Sequence, residues 1–164
     1  MNKIDTKYIT KAGIIAAMYV VLVMVQTAPV ASLTFGHIQL RLAEGLTILP
    51  FVEAAAVPGL FVGCLLSNLF LSSLSGFGLV DILGGSLVTL LAAYLTRKAK
   101  TKYLAMLSPI LLNGILVSIW VSYFTNISYP LTVLTIMGGE AIAVFVFGGM
   151  VLYAYEHSKI FRRF

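Results

Sequence analysis

The chain has 164 residues, of which 60% are hydrophobic and only 10% charged, and its mean hydropathy is +1.00. About a quarter of the residues in a soluble domain are charged, so this composition excludes a soluble globular fold. The formal net charge of +5 does not mark a nucleic-acid surface, because the lysines and arginines flank apolar blocks and form no separate basic domain.

The apolar residues run in long blocks rather than in the alternation of a barrel strand, which predicts helices. A helix satisfies its own backbone polar groups within one apolar segment. At this length a single domain over residues 1–164 is expected. Cys64 is the single cysteine, so no disulfide within the chain and no thiolate metal cluster can form.

In chain order, Lys3, Lys7 and Lys11 lead into a first apolar block at about Ile9 to Pro29. The block looks like a signal peptide, but five more apolar blocks follow, so it reads as a retained helix. A loop is expected at Val30 to Ile38. A second span is expected at about Leu40 to Val57, kinked at Pro50, and Pro58-Gly59 reads as a tight turn. A third span covers about Leu60 to Leu74 and a fourth about Leu79 to Leu95, with Ser75 to Gly78 between them. The basic stretch Arg97 to Lys102 lies outside the membrane. The fifth span, about Tyr103 to Phe124, ends before Asn126 and Pro130, and the sixth covers about Leu131 to Tyr155.

These readings give an all-α integral membrane protein of six transmembrane helices in one bundle. Basic residues mark the cytoplasmic side of a membrane protein. With six spans, Lys3, Lys7 and Lys11, the cluster Arg97, Lys98, Lys100 and Lys102, and the tail Lys159, Arg162 and Arg163 all fall on one side. Both termini are therefore expected in the cytoplasm, with Arg41 left at the opposite face.

Ionisable groups within a membrane are costly and tend to face a cavity or one another. At 1.5 Å per helical residue, Glu44, Asp81, Asn68, Asn113, Glu140, Gln39, Arg41 and Gln26 all map to the outer half of the bundle. Such a one-sided cluster points to an outward pocket and not to a through-pore. Structural readings stand beside the functional ones. Asp81 favours a helix N-terminus, Arg41 and Glu44 are spaced to pair on one helix face, and Asn68 and Asn113 suit interhelical bonding. Glu140 is mid-membrane with no basic residue near it in sequence, and so requires a partner or a proton.

Glu53 reads as interfacial, and His37 and His157 lie outside the core, with no metal role expected. Trp120 and Tyr123 fit an aromatic belt, yet Trp120 shares a helix face with Asn113, where a ring can stack on a flat ligand. Ala12 with Ala16, and Gly13 with Ala17, form small-residue pairs that let helices approach closely. There is no phosphate loop, zinc-protease motif or nucleophile elbow, so no ATP or cofactor site and no catalytic residue are expected. The inverted repeats of a self-sufficient transporter are absent too.

The segment Gly36 to Glu44, continued by Leu46 to Phe51, resembles the signature of the QueT-type queuosine-precursor transporters, as do Gly63 to Phe70 and Asp81 to Leu87. These are substrate-binding S-components of energy-coupling factor (ECF) transporters. The resemblance implies capture of a 7-deazaguanine precursor or queuine on the outer side, in a pocket capped by the loop between the first two helices. It further implies docking, through a face such as Ala12 and Ala16, onto a transmembrane coupling protein with two ATPase subunits. These ATPases would use the ATP for which this chain has no site.

Within that reading, Glu140 and Asp81 are candidates for a guanine-like edge and an aminomethyl cation. Gln39, Arg41, Asn68 and Asn113 are candidate donors to the ring, and Trp120 or Tyr123 candidate stacking surfaces. Three rival readings predict different behaviour. An S-component for another nutrient, such as tryptophan, shares the topology. An integral-membrane enzyme would need Glu44, Asp81 and Glu140 as acid–base groups or metal ligands, without a supporting His constellation or activated nucleophile. A channel would need its polar groups strung across the membrane.

Overall fold

The computed structural model describes residues 5–35 and 41–158. Six continuous helices follow one another: α1 (Thr6–Phe35), α2 (Leu42–Phe51), α3 (Ala56–Ser75), α4 (Val80–Lys98), α5 (Lys102–Thr125) and α6 (Tyr129–His157). Helices α1, α4, α5 and α6 are long and apolar enough to cross a membrane, and α2 and α3 supply shorter apolar segments. Large apolar side chains point outward along the bundle, among them Val25, Phe70, Leu87, Ile119, Leu134 and Met150. A soluble protein could not leave such a belt to water, whereas lipid accepts it. The chain is a multi-pass membrane protein.

The second span differs most from expectation. It is not a kinked α-helix but a 3₁₀ segment in the middle of the bundle, buried from Ala43 to Pro50. A 3₁₀ helix rises about 2.0 Å per residue, so ten residues cover roughly 20 Å, and it is thinner than an α-helix. That shape lets a short stretch thread the core. Pro50, which has no N–H to donate, sits near its end. Gly45 makes the closest passage: a Cβ there would lie 2.8 Å from Phe147 Cβ of α6. Around α2 pack Tyr19 and Val23 from α1, Leu60 and Cys64 from α3, and Val144 and Leu152 from α6.

The turns also shift. Helix α1 continues to Phe35, through much of the expected Val30 to Ile38 loop, because a proline such as Pro29 does not end a membrane helix; residues 36–40 lie outside the described residues. Pro58-Gly59 is not a turn but belongs to the start of α3, where a missing N–H costs nothing. The actual break is at Val52 to Ala55. Gly59 and Gly63 instead let α3 close on α1: a Cβ at Gly59 would stand 2.8 Å from the Ala12 carbonyl oxygen, and one at Gly63 3.0 Å from that of Ala16. The fifth span ends as expected, with Asn126 left-handed at φ 56.

The start of α1 and the end of α6 meet at one end of the bundle. Glu53, in the break between α2 and α3, accepts from Lys11 Nζ of α1 at 2.6 Å and from the Tyr155 hydroxyl of α6 at 2.8 Å. Arg97 of α4 donates there to the carbonyls of Pro50 and Phe51.

Candidate functional site

Away from that end, the helices depart from regular α geometry where the polar residues lie. Among the described residues, α4 has a π turn at Val80–Gly85, α5 at Asn113–Val117 and α6 at Ala143–Gly148. A π turn inserts one residue and re-aims the side chains around it, and such turns recur at functional sites. Asp81, Gly85, Asn113 and Val117 lie in these turns, and Glu140 lies three residues before the last.

They converge on a cavity with Arg41, Glu44, Cys64, Thr89 and Ile136. The cavity is narrow, about 10 Å³, room for roughly one water molecule. Measured along the helices, Glu140 is 11 residues, about 16 Å, from the start of α6. The site therefore lies near the middle of the bundle.

Each polar group has an assigned or an open valence. Glu44 Oε1 accepts from the Tyr19 hydroxyl at 2.6 Å, and Glu140 Oε1 from Asn113 Nδ2 at 3.0 Å. In both carboxylates the other oxygen, Oε2, is buried and has no partner, as is Arg41 Nε. Arg41 and Glu44 do not pair with each other; the ion pair between described residues is Lys11–Glu53 at the far end. The Arg41 charge nevertheless lies within electrostatic reach of Asp81 and Glu44. One guanidinium thus shares a buried cavity with three carboxyl groups, a combination that is costly until its open hydrogen-bonding positions are filled.

Several expected site residues take other roles. Asn68 Nδ2 donates at 2.9 Å to the main-chain oxygen of Asp81, so it fixes the π turn of α4 instead of facing the cavity. Trp120 Nε1 donates to Asp81 Oδ1 at 3.2 Å, and its ring lies over Gly84. Tyr123 is 78% exposed, stacked edge-on against Phe124 on the outer surface, and is not brought to the cavity. Gln39 lies outside the described residues. Gln26 accepts the Leu42 N–H at 2.6 Å and starts α2.

Of the small-residue pairs, Ala12 and Ala16 turn inward against α3, with Ala16 buried, while Gly13 and Ala17 stay exposed. Gly13 and Ala17 are thus the more exposed pair, while Ala12 is partly and Ala16 fully buried.

The sequence reading missed Tyr19, Gly85 and Thr89, and gave Cys64 no place in the site. Tyr19 is the next inward position after Ala12 and Ala16, opposite Gly59 and Gly63. Matched small residues on two helices would have placed it. The adjacent glycines Gly84 and Gly85 within an apolar block were a second available signal.

A family model described as QueT transporter matches residues 9–157. The chain belongs to the QueT transporter family. Its members are transporters and not enzymes. A relative from Lactococcus lactis subsp. cremoris (strain MG1363), described as "Queuosine precursor transporter QueT", is 37% identical over 90 residues, 55% of this chain. The match spans about half (49%) of that relative's length. No solved structure matches.

Proposed function

We propose that this chain is the S-component of an ATP-driven ECF uptake transporter, capturing a 7-deazaguanine queuosine precursor or queuine from the outer side of a bacterial cytoplasmic membrane. One observation carries the reading: Arg41, Glu44 and Glu140 each hold an open hydrogen-bonding position in a buried cavity near the middle of the bundle, away from the end held by Lys11, Glu53 and Tyr155. Basic residues at the end that holds Lys11 and Arg97 favour a cytoplasmic placement of that end, and in this reading the ligand reaches the cavity from the other side. QueT membership supplies the substrate class.

In this reading Glu44 and Glu140 accept from the ring, Arg41 donates to it, and Asp81 faces the 7-substituent. Asn113 and Tyr19 orient the carboxylates, while Asn68 and Trp120 hold Asp81. The bicyclic base exceeds a cavity of about 10 Å³, so capture includes separation of the helices around it. The energy for release comes from partner subunits, namely a coupling protein and two ATPases.

Calorimetric titration of the detergent-purified protein with 7-aminomethyl-7-deazaguanine, with riboflavin as control, tests the reading. One-to-one binding of the deazaguanine alone supports it. A folded protein that binds no 7-deazaguanine overturns it.

A further inference from the structure

The corner between α4 and α5 carries a concentrated charge that the cavity does not use. Arg97, Lys98, Lys100 and Lys102 stand within six residues, and no aspartate or glutamate occurs between Asp81 and Glu140. Arg97 is engaged by the carbonyls of Pro50 and Phe51. Lys98, Lys100 and Lys102 are exposed, and among the described residues none of them pairs with a carboxylate. The two helices are tied at this corner by the buried Thr96 hydroxyl, which donates to the Ala105 carbonyl at 3.1 Å.

The outward faces on either side of the corner repeat one order. On α4, Leu87, Leu91, Tyr94 and Lys98 are exposed at helical spacing. On α5 the order runs back as Lys102, Tyr103, Leu107 and Leu111. Each helix, followed out of the membrane, shows leucine, then tyrosine, then an ammonium group. Lys98 Nζ lies 5.6 Å from the centre of the Tyr94 ring, and Lys102 Nζ 5.5 Å from that of Tyr103, both within cation–π range. Tyr94 is one turn deeper than Lys98, so this lysine bends back toward the bilayer instead of reaching out into water. Tyrosines at the end of a span sit at headgroup level. The two ammonium groups are thus held at the depth of lipid phosphates, above leucines that face acyl chains.

We infer that the α4–α5 corner is a binding surface for anionic phospholipid, with Lys98 and Lys102 contacting the phosphate region and Lys100 adding charge at the turn.

One phospholipid carries both halves of the complement, an anionic headgroup for the lysines and acyl chains for the leucines. A soluble anion matches only the first half, and an acidic protein segment would leave the tyrosine and leucine faces within the bilayer unmatched. Orientation of the chain asks only for lysines on one side of the membrane; it does not ask that they fold back over tyrosine rings. The inference is independent of what the cavity binds and needs only that the chain crosses a membrane.

The test offers the detergent-purified chain equal amounts of phosphatidylglycerol and phosphatidylcholine with identical acyl chains, and counts the retained lipid by native mass spectrometry. Wild type is expected to prefer phosphatidylglycerol at least about fivefold, the contribution of a single lysine near an anionic surface. The triple variant Lys98→Gln, Lys100→Gln and Lys102→Gln is expected to lose most of that preference. A control that removes the same charge from the tail, Lys159→Gln, Arg162→Gln and Arg163→Gln, is expected to keep most of it. Excess glycerol phosphate is expected to leave the retained lipid in place. A smaller preference in wild type overturns the inference, whether or not any variant folds. So does an equal loss in the two triple variants, which would make net charge responsible, and so does displacement by glycerol phosphate, which would mark a free-phosphate site. An unchanged preference in the folded corner variant also overturns it and leaves these lysines to an acidic protein partner.

Discussion

The Tyr19 hydroxyl donates to Glu44 Oε1 at 2.6 Å, joining the centre of α1 to the cavity carboxylate on α2. Tyr19 is 1% exposed, and Glu44 2%. Its hydroxyl therefore has no water to turn to, and its bond sets which carboxylate oxygen the ligand meets. Tyr19→Phe keeps the ring and removes the bond. Affinity for 7-aminomethyl-7-deazaguanine is expected to fall about 2- to 12-fold, equivalent to roughly 0.5–1.5 kcal/mol for a hydrogen bond. In a Glu44→Gln background the same change should have a much smaller effect, because Tyr19 acts through Glu44. Equal losses in both backgrounds, read by calorimetry, would show that the ring's packing alone is responsible.

Gly85 tests whether the cavity wall is the binding surface. A Cβ there would lie 3.0 Å from Asn68 Nδ2 and 3.4 Å from Asp81 Oδ1. Gly85→Ala therefore crowds the pair that fixes the π turn and narrows the cavity at once. Overpacking of this kind costs about 1–3 kcal/mol. Ligand affinity is expected to drop at least tenfold, with a smaller loss in melting temperature. Unchanged affinity in a folded Gly85→Ala protein would place the ligand elsewhere.

The two small-residue pairs on α1 should separate by effect. Ala16 packs against Gly63 and is 7% exposed, so Ala16→Leu drives α1 off α3 and lowers thermal stability by about 2 kcal/mol or more. Gly13 and Ala17 are exposed. Gly13→Leu and Ala17→Leu are expected to leave melting and ligand affinity unchanged while reducing uptake by cells that depend on the partner subunits. A normal uptake rate in both variants would move the docking face off this side of α1.

How far the sequence foretold all this depends on what each residue had to balance. The six-span layout was legible because a bilayer demands long apolar blocks and lysines mark their ends. Glu140, Asp81, Glu44 and Asn113 were legible because a polar group in such a block needs a reason, and the cavity brings these four together. Helix α2 was not legible as 3₁₀. A ten-residue, mostly apolar stretch looks alike in either winding, and the choice was made by the space left between five neighbours. Tyr19 carried no signal of its own, since a tyrosine in an apolar block also suits an interface. For Asn68 the sequence left two roles open, and its amide takes the interhelical one, serving a main-chain oxygen that the π turn presents.

The clasp at the terminal end gives a pH prediction. Burial alone raises the Glu53 carboxyl. Lys11, the Tyr155 hydroxyl and the Ala55 N–H together outweigh it and hold the group below its usual value of 4.5. A carboxylate lowered in the folded state contributes stability that is present above its unfolded pKa and lost as pH falls through the folded one. The contribution should thus be full at neutral pH and fade below about pH 4.5. Glu53 is only partly buried, so the clasp is worth about 1 kcal/mol, not the larger figure of a dry pair. Glu53→Gln keeps the shape and removes the charge. Its melting temperature in detergent is expected a few degrees below wild type at pH 7, with the two curves converging toward pH 4. A constant offset across that range would mean that packing, and not the charge shared by Lys11 and Tyr155, joins α1 and α6 at this corner.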